Sequence, residues 1–592
     1  MKNYLPLLTA CLLLLDGCSN RDVNPEITTG ELKNHVTYLA SDELGGRYPG
    51  TDGARKAAEY IRKNLAAAGL ELPADSGYQS FPVVVGQKKG DHNTLEINSQ
   101  QSQPGVDFEP MPFSGNGEHT APVVFAGYGL KRDGRGITWN DYEGVDVSGR
   151  WVMVLRGAPY QGQLKKQFMG QTKDRSKATL AKDLGAAGLL FVSGPRHDSA
   201  DYLVNPHIKK GDIGIPALHI KRSIANKMLP KTSIRELENS INREGKPNSF
   251  STNQQIRASA QLFPEKATAR NVVAHLKPAN AGTKERYIVI GGHYDHLGMG
   301  GPNTGSRRPD TSAVHNGADD NASGIAAMIE LAEKLSAMRD SLRSHFIFVA
   351  FDAEEMGLLG SRHFVQTSPY DYKDYHAMIN LDMIGRLRNE NSLQIGGVGT
   401  AKESQTIIRQ INDTAAFTLG LSQQGYGPSD HASFYTKNIP VFFLSTGPHL
   451  DYHTPADDAD KLNYPGMKKV SGFVYSLALR LDNMDSRLAF QQAGPQNPDQ
   501  QARHGEEMKA TLGIMPDFAG VVKKGLRADL VIESKAADRA GMENGDIITA
   551  INGNEVGDIY DYMERMSDFK PGETITVEIL RNGRQKVLMV QL

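Results

Sequence analysis

Four stretches in the middle of the chain are apolar from end to end and then stop at polar residues: YIVIGGH (287–293), HFIFVAFDAEE (345–355), HAMINLDMIG (376–385) and VFFLSTG (441–447). Short continuous runs rich in β-branched and aromatic residues predict strands buried on both faces, as in a parallel sheet. Segments of helical period such as SGIAAMIELAEKL (323–335) lie between them. This alternation predicts an open, mostly parallel α/β sheet with helices on both faces and its functional groups along the carboxyl edge.

Upstream, the pattern reads helix (32–44), turn GGRYPGTDG (45–53) and helix (54–69). Ala54, Ala57, Ala58, Ile61 and Leu65 share one face of the second helix, and Gly69 is placed to end it. Residues 117–253 alternate strand and helix signals with no cluster of reactive side chains, and predict a separate β-rich insertion. The peptidic scaffold that bears the four apolar runs is then discontinuous, 30–116 and 254–485. A Gln-, Pro- and Asn-rich stretch within 486–504 reads as a linker, and 505–592 as a domain of its own. The first residues carry Lys2, an apolar run over 5–15 too short to span a membrane, and Leu15-Asp16-Gly17-Cys18.

A chain of 592 residues has room for several domains, and 39% hydrophobic with 23% charged residues suits soluble cores. The formal net charge of -2 gives no electrostatic case for a nucleic-acid partner. Both cysteines, Cys11 and Cys18, fall in the leader, so no disulfide framework holds the folded domains.

The candidate chemistry sits where the apolar runs end. His293 closes the first, with Asp295 two positions on as a carboxylate able to orient it. GADDNASG places Asp319 and Asp320 before a helix, where capping alone would need one of them. Glu354 and Glu355 end the second run as neighbours whose side chains point apart, one suited to a metal and the other to a water. Asp382 stands in apolar surroundings, where an unpaired carboxylate is costly and a cation removes the cost. His453, in DYHTPADD, completes a set of two histidines and three carboxylates that suits zinc, with manganese or cobalt as substitutes. His296 reads as a solvent-facing loop histidine. Ser429, Asp430 and His431 are adjacent in sequence, and without a GxSxG elbow they do not read as a serine-hydrolase triad.

In order and wording these segments resemble the co-catalytic di-zinc aminopeptidases, a family that also contains glutamate carboxypeptidase and glutaminyl cyclase relatives. The resemblance implies two zinc ions, one held by His293 and Asp382, the other by Glu355 and His453, with Asp319 bridging them. It implies Glu354 as general base, a supporting role for Asp295, an oxyanion role for Tyr452, and a cis peptide between Asp319 and Asp320. Asp430 and His431, in GYGPSDHASF, are implied to line the substrate pocket. The insertion resembles a protease-associated domain through AGYGL, YEGVDVSGRWVMVLRG, LAKDLGAAGLLFVSG and IPALHI. The C-terminal segment resembles a PDZ domain, in which the amides around Leu512, Gly513 and Ile514 would receive a peptide's C-terminal carboxylate. The leader resembles a lipoprotein signal (1–18) with Cys18 acylated and 19–29 as tether, implying an exported protein held in the cell envelope by its lipid alone. The implied activity is aminopeptidase action on peptides. The alternatives are a glutamate-releasing carboxypeptidase, a glutaminyl cyclase-like transferase, which would use one zinc, and an inactive binding protein, which would have lost ligands that this chain keeps.

Overall fold

The computed structural model describes residues 25–493 and 510–592, less 74, 135–136, 161–167, 169–171, 208–210, 230, 280–284, 302–303, 309, 390, 448, 517–523, 532–534, 558 and 568. Cys18 lies outside the described residues. Among the described residues no helix is long and apolar enough to cross a membrane.

The four apolar runs form strands Tyr287–His293, His345–Phe351, Tyr375–Leu381 and Val441–Ser445, adjacent and parallel in one eight-stranded sheet. Leu262–Leu276 and Tyr78–Lys89 add antiparallel on one side, and on the other Ser392–Gly396 runs antiparallel to Val441–Ser445 and pairs parallel with the last strand, Thr418–Leu421. Every residue of the strands Tyr287–His293, His345–Phe351 and Tyr375–Leu381 is buried, because helices cover both faces as the continuous apolar pattern requires. Helices Thr29–Leu39, Asp52–Ala67, Gly324–Ser336 and Tyr464–Asp482 supply one core layer. Phe364 of Leu359–Thr367 and Phe434 of His431–Tyr435 pack on the opposite face with Val349 and Met378.

Local chemistry starts and stops the helices. Thr28 caps the first, its hydroxyl accepting from the Glu31 amide at 3.1 Å and donating to Glu31 Oε2 at 2.7 Å, while its own backbone N–H donates to Glu330 Oε2 at 3.1 Å. Thr51 caps Asp52–Ala67, whose Ala54, Ala57, Ala58, Ile61 and Leu65 are all buried. Between these helices the turn bends under the site: a Cβ on Gly46 would stand 2.4 Å from the Gly298 carbonyl oxygen, so only glycine lets the two loops meet.

The β-rich insertion is a second eight-stranded sheet, with parallel neighbours Gly117–Ala126, Trp151–Leu155, Gly188–Val192 and Ala217–Ile220 at its centre. It begins earlier than the expected residue 117 and ends later than 253. Strands Thr94–Ile97, Gln100–Gln101 and Phe108–Pro110 belong to it, and Ser249–Ala260 crosses back through it. These short half-polar strands find partners only in the tertiary structure. The C-terminal body is a smaller sheet, Ile514–Pro516, Leu526–Val531, Ile547–Ile551, Thr574–Arg581 and Arg584–Gln591, with helices Ala536–Arg539 and Ile559–Ser567. Its second helix meets the insertion through ion pairs: Arg565 with Asp183, and Asp561 with Arg175 at 3.0 Å.

Candidate metal centre

Register brings the reactive side chains together. His293 pairs across from Phe351 and Gly291 from Asn380, so His293, Glu354, Glu355 and Asp382 emerge from the carboxyl ends of three adjacent parallel strands. Gly317–Ser323 and the turn around His453 close over that edge.

His293 Nε2 lies 3.2 Å from Asp320 Oδ1 and 3.5 Å from Asp382 Oδ1. His453 Nε2 lies 3.2 Å from Asp320 Oδ2 and 3.2 Å from Glu355 Oε2. Both rings turn Nε2 inward because Nδ1 is taken by a backbone carbonyl, that of Asp295 for His293 and of Gly305 for His453, each at 3.1 Å. Two triads thus share one carboxylate.

That carboxylate belongs to Asp320, which corrects the expected bridge at Asp319. The Asp319 side chain turns away: its Oδ1 accepts from the Gly385 amide at 2.6 Å and its Oδ2 faces His449 Nε2 at 3.2 Å. The amides of both aspartates donate to Asp457 Oδ2, at 2.9 and 3.1 Å, which pins the segment from behind. The cis peptide is Asp320–Asn321, one residue on from the expected bond. Neighbouring side chains face opposite ways, so a one-residue difference in backbone path decides which aspartate enters the cluster.

Asp295 orients its surroundings differently from expectation. Its carboxylate, 3.7 Å from His293 Nδ1, accepts from the Glu354 and Glu355 amides at 3.0 and 3.3 Å and so holds that pair in place. Glu354 stands at the rim, Oε2 4.0 Å from His293 Nε2. Burial, with Glu355, Asp430 and Asp382 nearby, pushes its carboxyl well above the usual range, against the pull of His293. Tyr452 stacks on His453, ring centroids 3.9 Å apart, and burial with the cluster's carboxylates raises its phenol far above normal, so the hydroxyl keeps its proton. Asp430 is fully buried and pushed up to about 7, chiefly by burial, with His293 and Asp382 among the charges it feels. His431 packs flat on Phe443 at 4.6 Å, buried in the core.

Sequence reasoning missed three residues here. His296 is fully buried, its Nδ1 2.8 Å from Glu355 Oε1, and does not face solvent as expected. Arg47, in a segment that reads as a plain turn, is also buried and donates to the carbonyls of Tyr294, Leu39, Asn316 and Gly317. It staples the loop after His293 to the loop before Asp320. Burial lowers its guanidinium to about 10, and Asp295, Asp320, Asp457 and Glu355 resist that fall. Asp457 was read only as part of a turn. The GGR glycines were the available signal for Arg47, since consecutive glycines mark close backbone approach.

The donor set fits zinc. A tetrahedral ion with ligands at about 2.0–2.1 Å has ligand–ligand edges near 3.3 Å, and each triad's histidine–carboxylate distances are 3.2–3.5 Å. The buried Asp382 Oδ1 also lacks a hydrogen-bond donor, as a ligand oxygen would. Residues His293, Asp320 and Asp382, and again His296, Asp320 and Glu355, cluster tightly enough for a cation.

In the C-terminal body, Leu512, Gly513 and Ile514 are buried beside the start of the edge strand Ile514–Pro516, and Gly513 adopts φ +73°.

The chain is similar to known proteins in three separate regions. Residues 271–478 match the model for peptidase family M28, 119–228 the PA domain and 511–592 the PDZ domain. Aminopeptidase YwaD of Bacillus subtilis is 24% identical over 73% of this chain and 81% of its own length. A probable lipoprotein aminopeptidase, LpqL, of Mycobacterium tuberculosis is 23% identical over 60% of this chain and 59% of its own. The solved zinc aminopeptidase of Bacillus subtilis aligns over 80% of this chain and all of that chain, with 20% identity and a TM-score of 0.47.

Proposed function

We propose, from the premise that the chain is a peptidase of family M28 carrying a PA and a PDZ domain, that it removes N-terminal residues from peptides with two metal ions held around Asp320. The observation that carries this reading is the Asp320 carboxylate, one oxygen 3.2 Å from each of two histidines. His293 and Asp382 would hold one zinc, His453 and Glu355 the other. When bound, the metal supplies Lewis acidity, polarising the scissile carbonyl and acidifying the attacking water.

The chain's own groups do the rest. Glu354, at the rim and with its carboxyl raised by burial, takes the water's proton and returns it to the departing amine. A carboxylate within reach of the water and of the leaving group relays the proton between them in general acid–base catalysis. Asp295 fixes the Glu354 backbone through its amide. Tyr452, protonated in its buried setting, donates to the oxyanion as it forms. Asp430, a buried carboxyl whose charge is felt at Glu354, is assigned to the substrate pocket in this reading. The leader's lipobox and the lipoprotein relative support export and anchoring in the cell envelope through Cys18. The PDZ domain would take a peptide's C-terminal carboxylate at Leu512, Gly513 and Ile514 and add the peptide to strand Ile514–Pro516.

The test is release of amino acids from matched N-free, N-acetylated and C-amidated peptides by the zinc-loaded protein. Cleavage that needs only a free N-terminus is the expected result. Dependence on a free C-terminus would move the reading to a carboxypeptidase, and release of ammonia from N-terminal glutamine to a cyclase.

A further inference from the structure

Glu355 meets two histidines with two different oxygens. Its Oε2 is 3.2 Å from His453 Nε2, inside the triad that includes Asp320, and its Oε1 is 2.8 Å from His296 Nδ1. His296 Nδ1 stands farther from Asp320, 3.8 Å from Oδ2. The short contact is therefore a hydrogen bond to the carboxylate oxygen that faces away from His453.

The ring has little freedom to do anything else. It is fully buried, 5.7 Å from the His453 ring centroid at 70°, and its backbone amide donates to the Arg47 carbonyl at 3.3 Å. A Cβ on Gly317 would stand 2.6 Å from His296 Cδ2, so the loop leading to Asp320 closes over the imidazole only because that residue is glycine. His296 Nε2 has no partner in its buried setting, which leaves Nδ1–H as the polar group the ring employs.

We infer that His296 is a positioning residue that occupies Glu355 Oε1 and so restricts Glu355 to metal ligation through Oε2 alone. The inference rests on reading the cluster as a two-metal centre. A carboxylate free at both oxygens can chelate one ion and raise its coordination number. One held by a donor presents a single oxygen and leaves a coordination position for water or substrate. The ion beside His453 is then the one that depends on His296, and the ion beside His293 does not.

The experiment uses the full chain with H296L, which keeps bulk without a donor, and H296N, whose amide nitrogen can stand where Nδ1 does. The affinities of both zinc ions are measured by competition with a chromophoric chelator, and the visible spectrum of the cobalt-substituted protein reports coordination number. H296L is expected to weaken one ion by about 10- to 100-fold, the usual effect of losing an outer partner. Its cobalt absorption should fall, as higher coordination dictates. H296N should retain both the affinity and the spectrum of the wild type. Wild-type affinities and spectrum in H296L would overturn the inference, as would an H296N that behaves like H296L, since direct ligation by the imidazole would then explain the loss. If H296L does not fold, H296N against H296Q, whose amide extends one bond farther, gives the same comparison. A wild type that binds fewer than two ions would instead sink the metal-centre reading itself.

Discussion

Asp319 and Asp320 are adjacent, chemically identical and both buried, so replacing each in turn by asparagine isolates what the geometry assigns. Asp320 offers one oxygen to each histidine at 3.2 Å. In a two-zinc site, removing its charge would cost each divalent ion an attraction of about 8 kcal/mol at about 4 Å with an effective dielectric near 20, part of which the remaining carboxylates and solvent offset. The asparagine carbonyl can still serve one ion, so the expected loss is about 100- to 1,000-fold in affinity for the more affected ion. Asp319 accepts from the Gly385 amide at 2.6 Å, a role an asparagine oxygen can fill. Asp319→Asn should therefore cost about 1 kcal/mol of stability, the typical net worth of one hydrogen bond, and change zinc affinity by less than about tenfold. The assay is bound zinc after dialysis against a graded chelator, with circular dichroism to certify the fold. A D319N protein that loses its zinc beside a D320N protein that keeps it would refute the assignment.

Arg47→Met leaves four carbonyls without their donor. It should lower unfolding free energy by at least about 3 kcal/mol, since each buried unsatisfied group costs about 1–3, and Arg47→Lys should recover only part of it in a denaturant titration. His376 is fully buried, its Nδ1 accepts from the Leu488 amide at 3.2 Å, and burial with Arg286 lowers it to about 4. Its folded value lies below the unfolded one near 6.5, so the unfolded chain binds the extra proton. Its share of stability is whole above pH 6.5 and lost as pH falls toward 4, at most about 3 kcal/mol; a His376→Gln protein should show a shallower acid limb in urea titrations at pH 4–7. Arg565→Glu places like charges against Asp183, and hydrogen exchange should quicken together in helices Ile559–Ser567 and Asp174–Asp183. Unchanged exchange in both would mean the contact does not hold the PDZ domain to the insertion.

Much of the site was legible because strand ends are legible. His293, Glu354, Glu355 and Asp382 each follow an apolar run, and parallel register then carries them to one edge with no further information. His453 was found from its own turn. What the sequence left open was decided by backbone path or by tertiary closure. The choice between Asp319 and Asp320 turns on a single residue of chain direction. His296 reads as polar and exposed until the Gly317 loop covers it. Arg47 bonds only carbonyls, which carry no residue-type signature, so the glycines beside it mark a close backbone approach without announcing a structural cation. The same limit explains the insertion's boundary. Strand Thr94–Ile97 is stabilised by Ser249–Ala260, some 150 residues away, through a pairing that local periodicity does not record.

The central claim is that Glu354 moves the proton while other residues hold the metal. It is tested most directly by measuring kcat on an N-free leucyl peptide and bound zinc in the same samples of wild type and Glu354→Gln. The expected result is a loss of about 100- to 10,000-fold in kcat, the usual contribution of general acid–base catalysis, with the bound zinc retained. A Glu354→Gln protein that turns over at the wild-type rate, or that loses activity only because it has lost its zinc, would contradict it.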